Sequence, residues 1–120
     1  ASSAMSPDHQ PDKTLAAGAT TYVDNCSACH QAQGSGIPGV FPALAGNGVV
    51  LAADANDILK VVLFGIPVQD GYIAMPGFGD KLSDQQIADL ANYLRSSWGN
   101  GAAVNATAAQ VAALRKLPVE

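Results

Sequence analysis

Charge is scarce in this 120-residue sequence: Asp, Glu, Lys and Arg together make up 13% of it, about half the usual share. Positive charge is scarcest, with six basic residues against ten acidic ones, a formal net charge of −4 and a pI near 4.8. That balance argues against a nucleic-acid or anionic-membrane surface. No uninterrupted apolar run approaches a membrane span, and no secretory signal pattern stands at Ala1, so the expectation is a mature chain or a domain excised from a longer one. Large side chains are few as well. The 48% hydrophobic content owes much to 22 alanines, while three Phe, three Tyr and one Trp fill little volume. The length allows one domain and one core, which excludes a two-domain enzyme with separate cofactor and substrate domains. A core this thin would be completed well by a bulky buried group.

Residues 1–13 are rich in Ser, Pro, Asp and Gln without periodicity, the composition of a flexible lead-in. The expected domain is 14–120, with a core of 14–98 and a C-terminal extension. Leu15, Gly18, Ala19, Tyr22 and Cys26 recur at three and four residues, predicting a first helix over 14–29. Residues 31–53 hold five glycines with Pro38 and Pro42, a long loop of the kind that wraps something. Asp54 can cap a helix whose Ile58, Val61 and Val62 face inward and which Gly65 ends. Residues 66–82 form a second loop. Ser83 with Gln86 makes a capping box before the stripe Ile87, Leu90, Ala91, Leu94, Trp98, which Gly99 stops. Thr107 with Gln110 repeats the box before a short last helix over 107–117, with Val111, Leu114 and Leu117 apolar and Arg115 and Lys116 at its negative end. No segment alternates, so the fold class is all-α with two long loops.

The only two cysteines stand three apart and a histidine follows: Cys26, Ser27, Ala28, Cys29, His30. Two cysteines scattered at random over this length fall three apart about one time in sixty, so the following His makes coincidence remote. Each thiol can add to one vinyl group of a haem. On a helix the offset presents both sulfurs to one edge of the ring, and His30 then reaches the iron from the proximal side. Other readings use the residues less fully. A disulfide across this spacing is strained and leaves His30 idle, a thioredoxin-like motif expects a preceding strand, and zinc needs four ligands when the only other histidine is His9 in the lead-in. Covalent haem c, attached through Cys26 and Cys29, is the expected cofactor. For the sixth position of the iron, Met5 lies in the lead-in, whereas Met75 sits before Pro76, which holds it extended so that a stiff loop presents its thioether. The alternative role for Met75 is plain gap-filling.

Together these residues resemble small, single-haem class I c-type cytochromes, over about residues 14–98. Gly18 and Tyr22 stand where the family places a small residue and an aromatic at the crossing of its first and last main helices, with Leu90 and Tyr93 resembling their partners. The resemblance implies three to five helices wrapped with long loops around one covalent haem. It also implies that Pro42 lends its carbonyl to the His30 ring and that Leu44 packs on the haem, a bond that would fix the His tautomer and raise its basicity. More specifically, Gly39-Val40-Phe41-Pro42-Ala43-Leu44-Ala45-Gly46-Asn47, Met75-Pro76-Gly77-Phe78 and Tyr93-Leu94-Arg95-Ser96-Ser97-Trp98-Gly99-Asn100 resemble the cytochrome subunits or domains of bacterial periplasmic alcohol and aldehyde dehydrogenases.

Two function classes follow. An electron-transfer cytochrome would cycle a haem held by His30 and Met75, with a dehydrogenase as donor and an oxidase or another cytochrome as acceptor. A haem enzyme or small-ligand sensor would need a displaceable sixth ligand and a polar distal group, for which the second loop offers only Gln69, Asp70 and Tyr72. Tyr72 and Trp98 are read as haem packing or propionate partners. The electron carrier is the expectation: not an enzyme, a monomer, without nucleic acid or membrane span, and periplasmic, because this attachment chemistry occurs outside the cytosol. Segments 26–46 and 74–79 carry no Lys or Arg, so a basic docking ring cannot be built from them.

Overall fold

A computed structural model describes residues 11–37, 40–67 and 74–116. Among them are six helices and no strands: α1 (Pro11–Asn25), α2 (Ser27–His30), α3 (Gly48–Leu51), α4 (Asn56–Phe64), α5 (Asp84–Ser96) and α6 (Ala108–Arg115). None is long and apolar enough to cross a membrane. The helical start at Pro11 differs from the lead-in expected to run to residue 13. Proline serves well at a first helical position, where its missing N–H would have had no partner.

The crossing of α1 over α5 is the frame of the fold. Gly18 makes it possible, since a Cβ there would stand 2.2 Å from the Asp89 carbonyl oxygen and 2.8 Å from the Tyr93 Cβ. One turn on, the fully buried Tyr22 sets its ring 5.6 Å from Tyr93 and 5.2 Å from Trp98. Asp89 and Tyr93 are thus the close partners of Gly18, and Leu90 turns to an interior cavity instead.

Both capping boxes form, with Ser83 and Thr107 accepting from the Gln86 and Gln110 N–H groups and each glutamine side chain accepting from its cap's N–H. Three sequence expectations need correction. The first helix is broken at Cys26, where φ is −120°, so the cysteine–histidine segment is a separate turn. The loop after His30 contains α3, capped by the Asn47 side chain, which accepts from Val49 and Val50. The cap of α4 is Ala55, while the Asp54 carboxylate accepts from the Asn56 N–H just inside it.

The C-terminal extension is bound back onto this frame. The Asn92 amide pairs with Ala106 in both directions, at 3.0 and 2.9 Å. Arg95, wholly buried, donates to the carbonyls of Ala103, Val50, Ala52 and Ala53 at 2.6–3.4 Å, so one guanidinium ties α5 to α3, the turn after it and the extension. Burying a cation is tolerable only when its donors are met, and here backbone oxygens meet them. The extension's helix ends at Arg115; Leu117 lies outside the described residues.

Candidate haem site

α1 and its crossing deliver the two cysteines and His30. Cys26 continues the α1 hydrogen-bonding, its N–H donating to the Tyr22 carbonyl at 2.8 Å, and the chain then pivots into α2. The turn after His30 is held by the Tyr22 hydroxyl, which donates to the Gln31 carbonyl at 2.5 Å. Burial, with lesser effects from Cys26 and Tyr93, raises the Tyr22 hydroxyl well above its ordinary range, so it stays a donor. His30 is itself buried, and its Nδ1 donates to the Pro42 carbonyl at 2.9 Å. A carbonyl only accepts, so the proton sits on Nδ1 and the Nε2 lone pair is left free for a metal. Phe41 packs its ring edge-on to the imidazole, 6.5 Å away.

Met75 arrives from the other side. Its backbone pairs with Ile66 in an isolated antiparallel bridge, at 2.8 and 2.9 Å, immediately after α4 turns out at Gly65. The chain beyond it is fastened to the end of the same helix: Phe78 N–H donates to the Val62 carbonyl at 2.7 Å and Gly79 N–H to Leu63 at 3.1 Å. Gly77 lets the two backbones meet, because a Cβ there would lie 2.6 Å from the Leu63 oxygen.

Between these sides lies a cavity of about 90 Å³. Cys26, His30, Pro42, Leu44 and Met75 all line it, with Ile58, Val61 and Val62 of α4 and Leu90 and Leu94 of α5 supplying apolar wall. A second cavity, of about 360 Å³, adjoins it, sharing His30, Pro42 and Met75 and adding Cys29. Protein interiors rarely keep voids larger than a water molecule. The two adjoining hollows together, walled by Val, Leu and Ile and flanked by two thiols, an imidazole and a thioether, fit a flat apolar macrocycle with an iron centre. Neither cysteine is in a disulfide. As a free thiol, Cys26 is pushed up to about 11 by burial, with Cys29 adding to the rise and Lys81 opposing it. Among the described residues no group of three or more His, Cys, Asp or Glu side chains gathers, as a zinc site would require.

Two candidate residues stand apart from this set. Trp98 is not in the cavity wall. Its Nε1 donates to the Ala32 carbonyl at 3.0 Å, and its ring lies over Gly34, so it pins the loop after His30 to the helix crossing. Its left-handed backbone, φ 54°, places it beyond the end of α5 and off the stripe that would have aimed it inward. Tyr72 lies outside the described residues, as do Gln69 and Asp70. Wall residues that sequence reasoning gave no role include Val50 and Ile66, with Asn47 and Phe78 named only within the resembling stretches. They sit in short turns and loops without periodicity, so only Asn47, as a cap of α3, carried a local signal.

Comparison with known proteins bears on the same segment. The family model described as Cytochrome c matches residues 15–98. The chain belongs to the cytochrome c family. This cytochrome is 42% identical, over 104 residues, to the cytochrome c subunit of alcohol dehydrogenase (quinone) from Gluconobacter oxydans (strain 621H), covering 82% of this chain and 22% of that one. It is 44% identical over 105 residues to the gluconate 2-dehydrogenase cytochrome c subunit of Pantoea cypripedii, covering 82% and 24%. Cytochrome c-552 of Thermus thermophilus is 35% identical over 110 residues, covering 82% and 83%. The cytochrome therefore spans less than a quarter of the dehydrogenase subunits' length but most of the single cytochrome's. As a member of the family it carries covalently bound haem c, for which Cys26 and Cys29 are the attachment pair, and it transfers electrons.

Proposed function

We propose that His30 and Met75 are the axial ligands and that this cytochrome relays single electrons, in the periplasm, from a dehydrogenase towards the respiratory chain. The observation that carries the ligand assignment is that His30 and Met75, 45 positions apart in sequence, line one apolar cavity. The bound haem supplies a reversible one-electron couple of its iron. Everything else is the work of this chain. Pro42 fixes the His30 tautomer and adds electron density to the ring. The Ile66 bridge holds the Met75 backbone extended, so the thioether reaches inward from a fixed anchor. Leu44, with the aliphatic side chains of α4 and α5, excludes water, and an apolar wall with a thioether ligand disfavours the ferric form, which places the potential on the positive side. Packing of residues 99–116 onto α5 supports one domain that includes the extension.

Electron relay is favoured over catalysis or ligand sensing by the character of the wall. Among the described residues, Asn47 is, apart from His30, the only Asn, Gln, Ser, Thr, Tyr or charged side chain in the wall, and no Arg, Asp or Glu lines it to act on a bound substrate. The dehydrogenase donor is supported by two of the three relatives above, which are subunits of such enzymes. Carbon monoxide added to the ferrous protein tests the reading: a closed sixth position gives no spectral change at neutral pH, whereas ready binding would show an open or vacated site and favour the sensor or enzyme.

A further inference from the structure

The extension after residue 98 lies beyond the stretch that matches the family, yet its last helix reaches the loop that carries Met75. Arg115, at the end of α6, donates through Nε to the Asp84 carboxylate, through Nη1 to the Gly79 carbonyl at 2.5 Å and through Nη2 to the Leu82 carbonyl at 2.8 Å. Gly79 and Leu82 close the loop that begins at Met75. Its other fastenings are the Ile66 bridge and the Phe78 and Gly79 N–H bonds to the end of α4. The loop is thus gripped from two sides, by α4 from one and by a single guanidinium fork from the other. Val111 and Leu114, buried on α6, fix the helix that carries the fork.

We propose that Arg115 is a positioning residue for the sixth ligand: by pinning Gly79 and Leu82 it holds the 75–82 loop shut and limits how often Met75 leaves the iron. This rests on the reading of Met75 as ligand. The physical basis is the geometry of the fork, since a planar guanidinium can serve three acceptors at fixed angles while an ammonium on a flexible stem cannot. Charge-assisted bonds of this kind are stronger than neutral ones, and these are only partly exposed to solvent, the Arg115 side chain being 30% accessible. Because the grip acts on one loop, its loss should raise local opening far more than global unfolding.

The test uses oxidised holoprotein with imidazole as the probe, which can bind only while Met75 is off the iron. In Arg115→Met, imidazole association should be about tenfold faster than in the wild type, the equivalent of roughly one charge-assisted hydrogen bond lost from the closed loop. Arg115→Lys should fall between the two. Hydrogen exchange supplies a readout independent of the iron: the Phe78 and Gly79 amides should lose protection by a similar factor, while the Leu90 and Ala91 amides in the middle of α5 change much less. Equal imidazole rates in wild type and Arg115→Met would overturn the proposal. So would a uniform loss of protection in the loop and in α5, which would mark Arg115 as a general stabiliser. If Arg115→Met does not accumulate as holoprotein, Asp84→Asn keeps both carbonyl bonds and should accelerate imidazole about threefold, one partner of the fork being weakened; no acceleration there refutes the clamp. Failure of the ligand reading itself looks different: the wild type would then take up imidazole as fast as Met75→Ala.

Discussion

Replacing Gly18 with alanine inserts one methyl group where α1 crosses α5. That methyl would meet the Asp89 carbonyl oxygen at 2.2 Å and the Tyr93 Cβ at 2.8 Å. The first obstacle is backbone, which cannot swing aside as a side chain can, so the helices must part by about 1 Å to reach the tightest normal packing. Overpacking typically costs about 1–3 kcal/mol, and a backbone obstacle belongs at the upper end. Parting the helices also loosens the Tyr22–Tyr93–Trp98 cluster, whose ring pairs are worth roughly 0.5–1.5 kcal/mol each beyond their buried area. Against this, alanine gains about 1 kcal/mol over glycine in a helix interior. The balance is a loss of about 2–3 kcal/mol, or a fall in Tm of about 8–12 °C for a chain of this size. Thermal unfolding of the oxidised holoprotein, followed by far-ultraviolet circular dichroism, reads it directly. Val23→Ala on the same helix is the control, since Val23 is 64% exposed and its truncation should stay within about 0.5 kcal/mol. If Gly18→Ala is as stable as that control, the crossing is not close-packed and the framing of the site by Gly18 and Tyr22 fails.

Trp98→Phe should lose the Nε1 bond to Ala32 and about 1 kcal/mol of stability, with the haem spectrum unchanged because Trp98 is outside the cavity wall; an altered spectrum would restore it as a haem contact. Docking should be largely apolar, because Ile37, Val40 and Val49 are all exposed and segments 26–46 and 74–79 carry no Lys or Arg. Stopped-flow reduction by a dehydrogenase donor should accordingly respond weakly to a salt series, few charges lying within a Debye length of about 8 Å of the contact. A steep fall in rate with salt would instead assign docking to acidic residues such as Asp24 or Asp80.

What could be read from the sequence was whatever rests on local rules. Both capping boxes and the stripe of α5 were visible because a Ser or Thr three residues before Gln, followed by apolar residues at helical spacing, satisfies N–H groups and a core face together. The cysteine pair and His30 were visible because attachment chemistry dictates their spacing. Other features depend on tertiary partners. The break at Cys26 sets two sulfurs and an imidazole along the two adjoining cavities, against a periodicity that runs on through 29. α3 is a single turn that Asn47 caps and the burial of Val50 secures. Arg95 stands in a helix pattern as an ordinary surface cation, and nothing local announces that four carbonyls from distant segments will enclose it. Trp98 kept the spacing of the α5 stripe although the helix had already ended at Ser96, and it packs against the core beside Tyr22 and Tyr93 instead of in the cavity wall.

The most direct measurement of the central claim is the far-red absorption of the ferric protein, compared among the wild type, Met75→Ala and Met5→Ala. With His30 and Met75 on the iron, the wild type and Met5→Ala show the weak band of thioether ligation. Met75→Ala loses it, keeps its haem through Cys26 and Cys29, and falls in reduction potential. A band that survives in Met75→Ala, or disappears in Met5→Ala, would contradict the account.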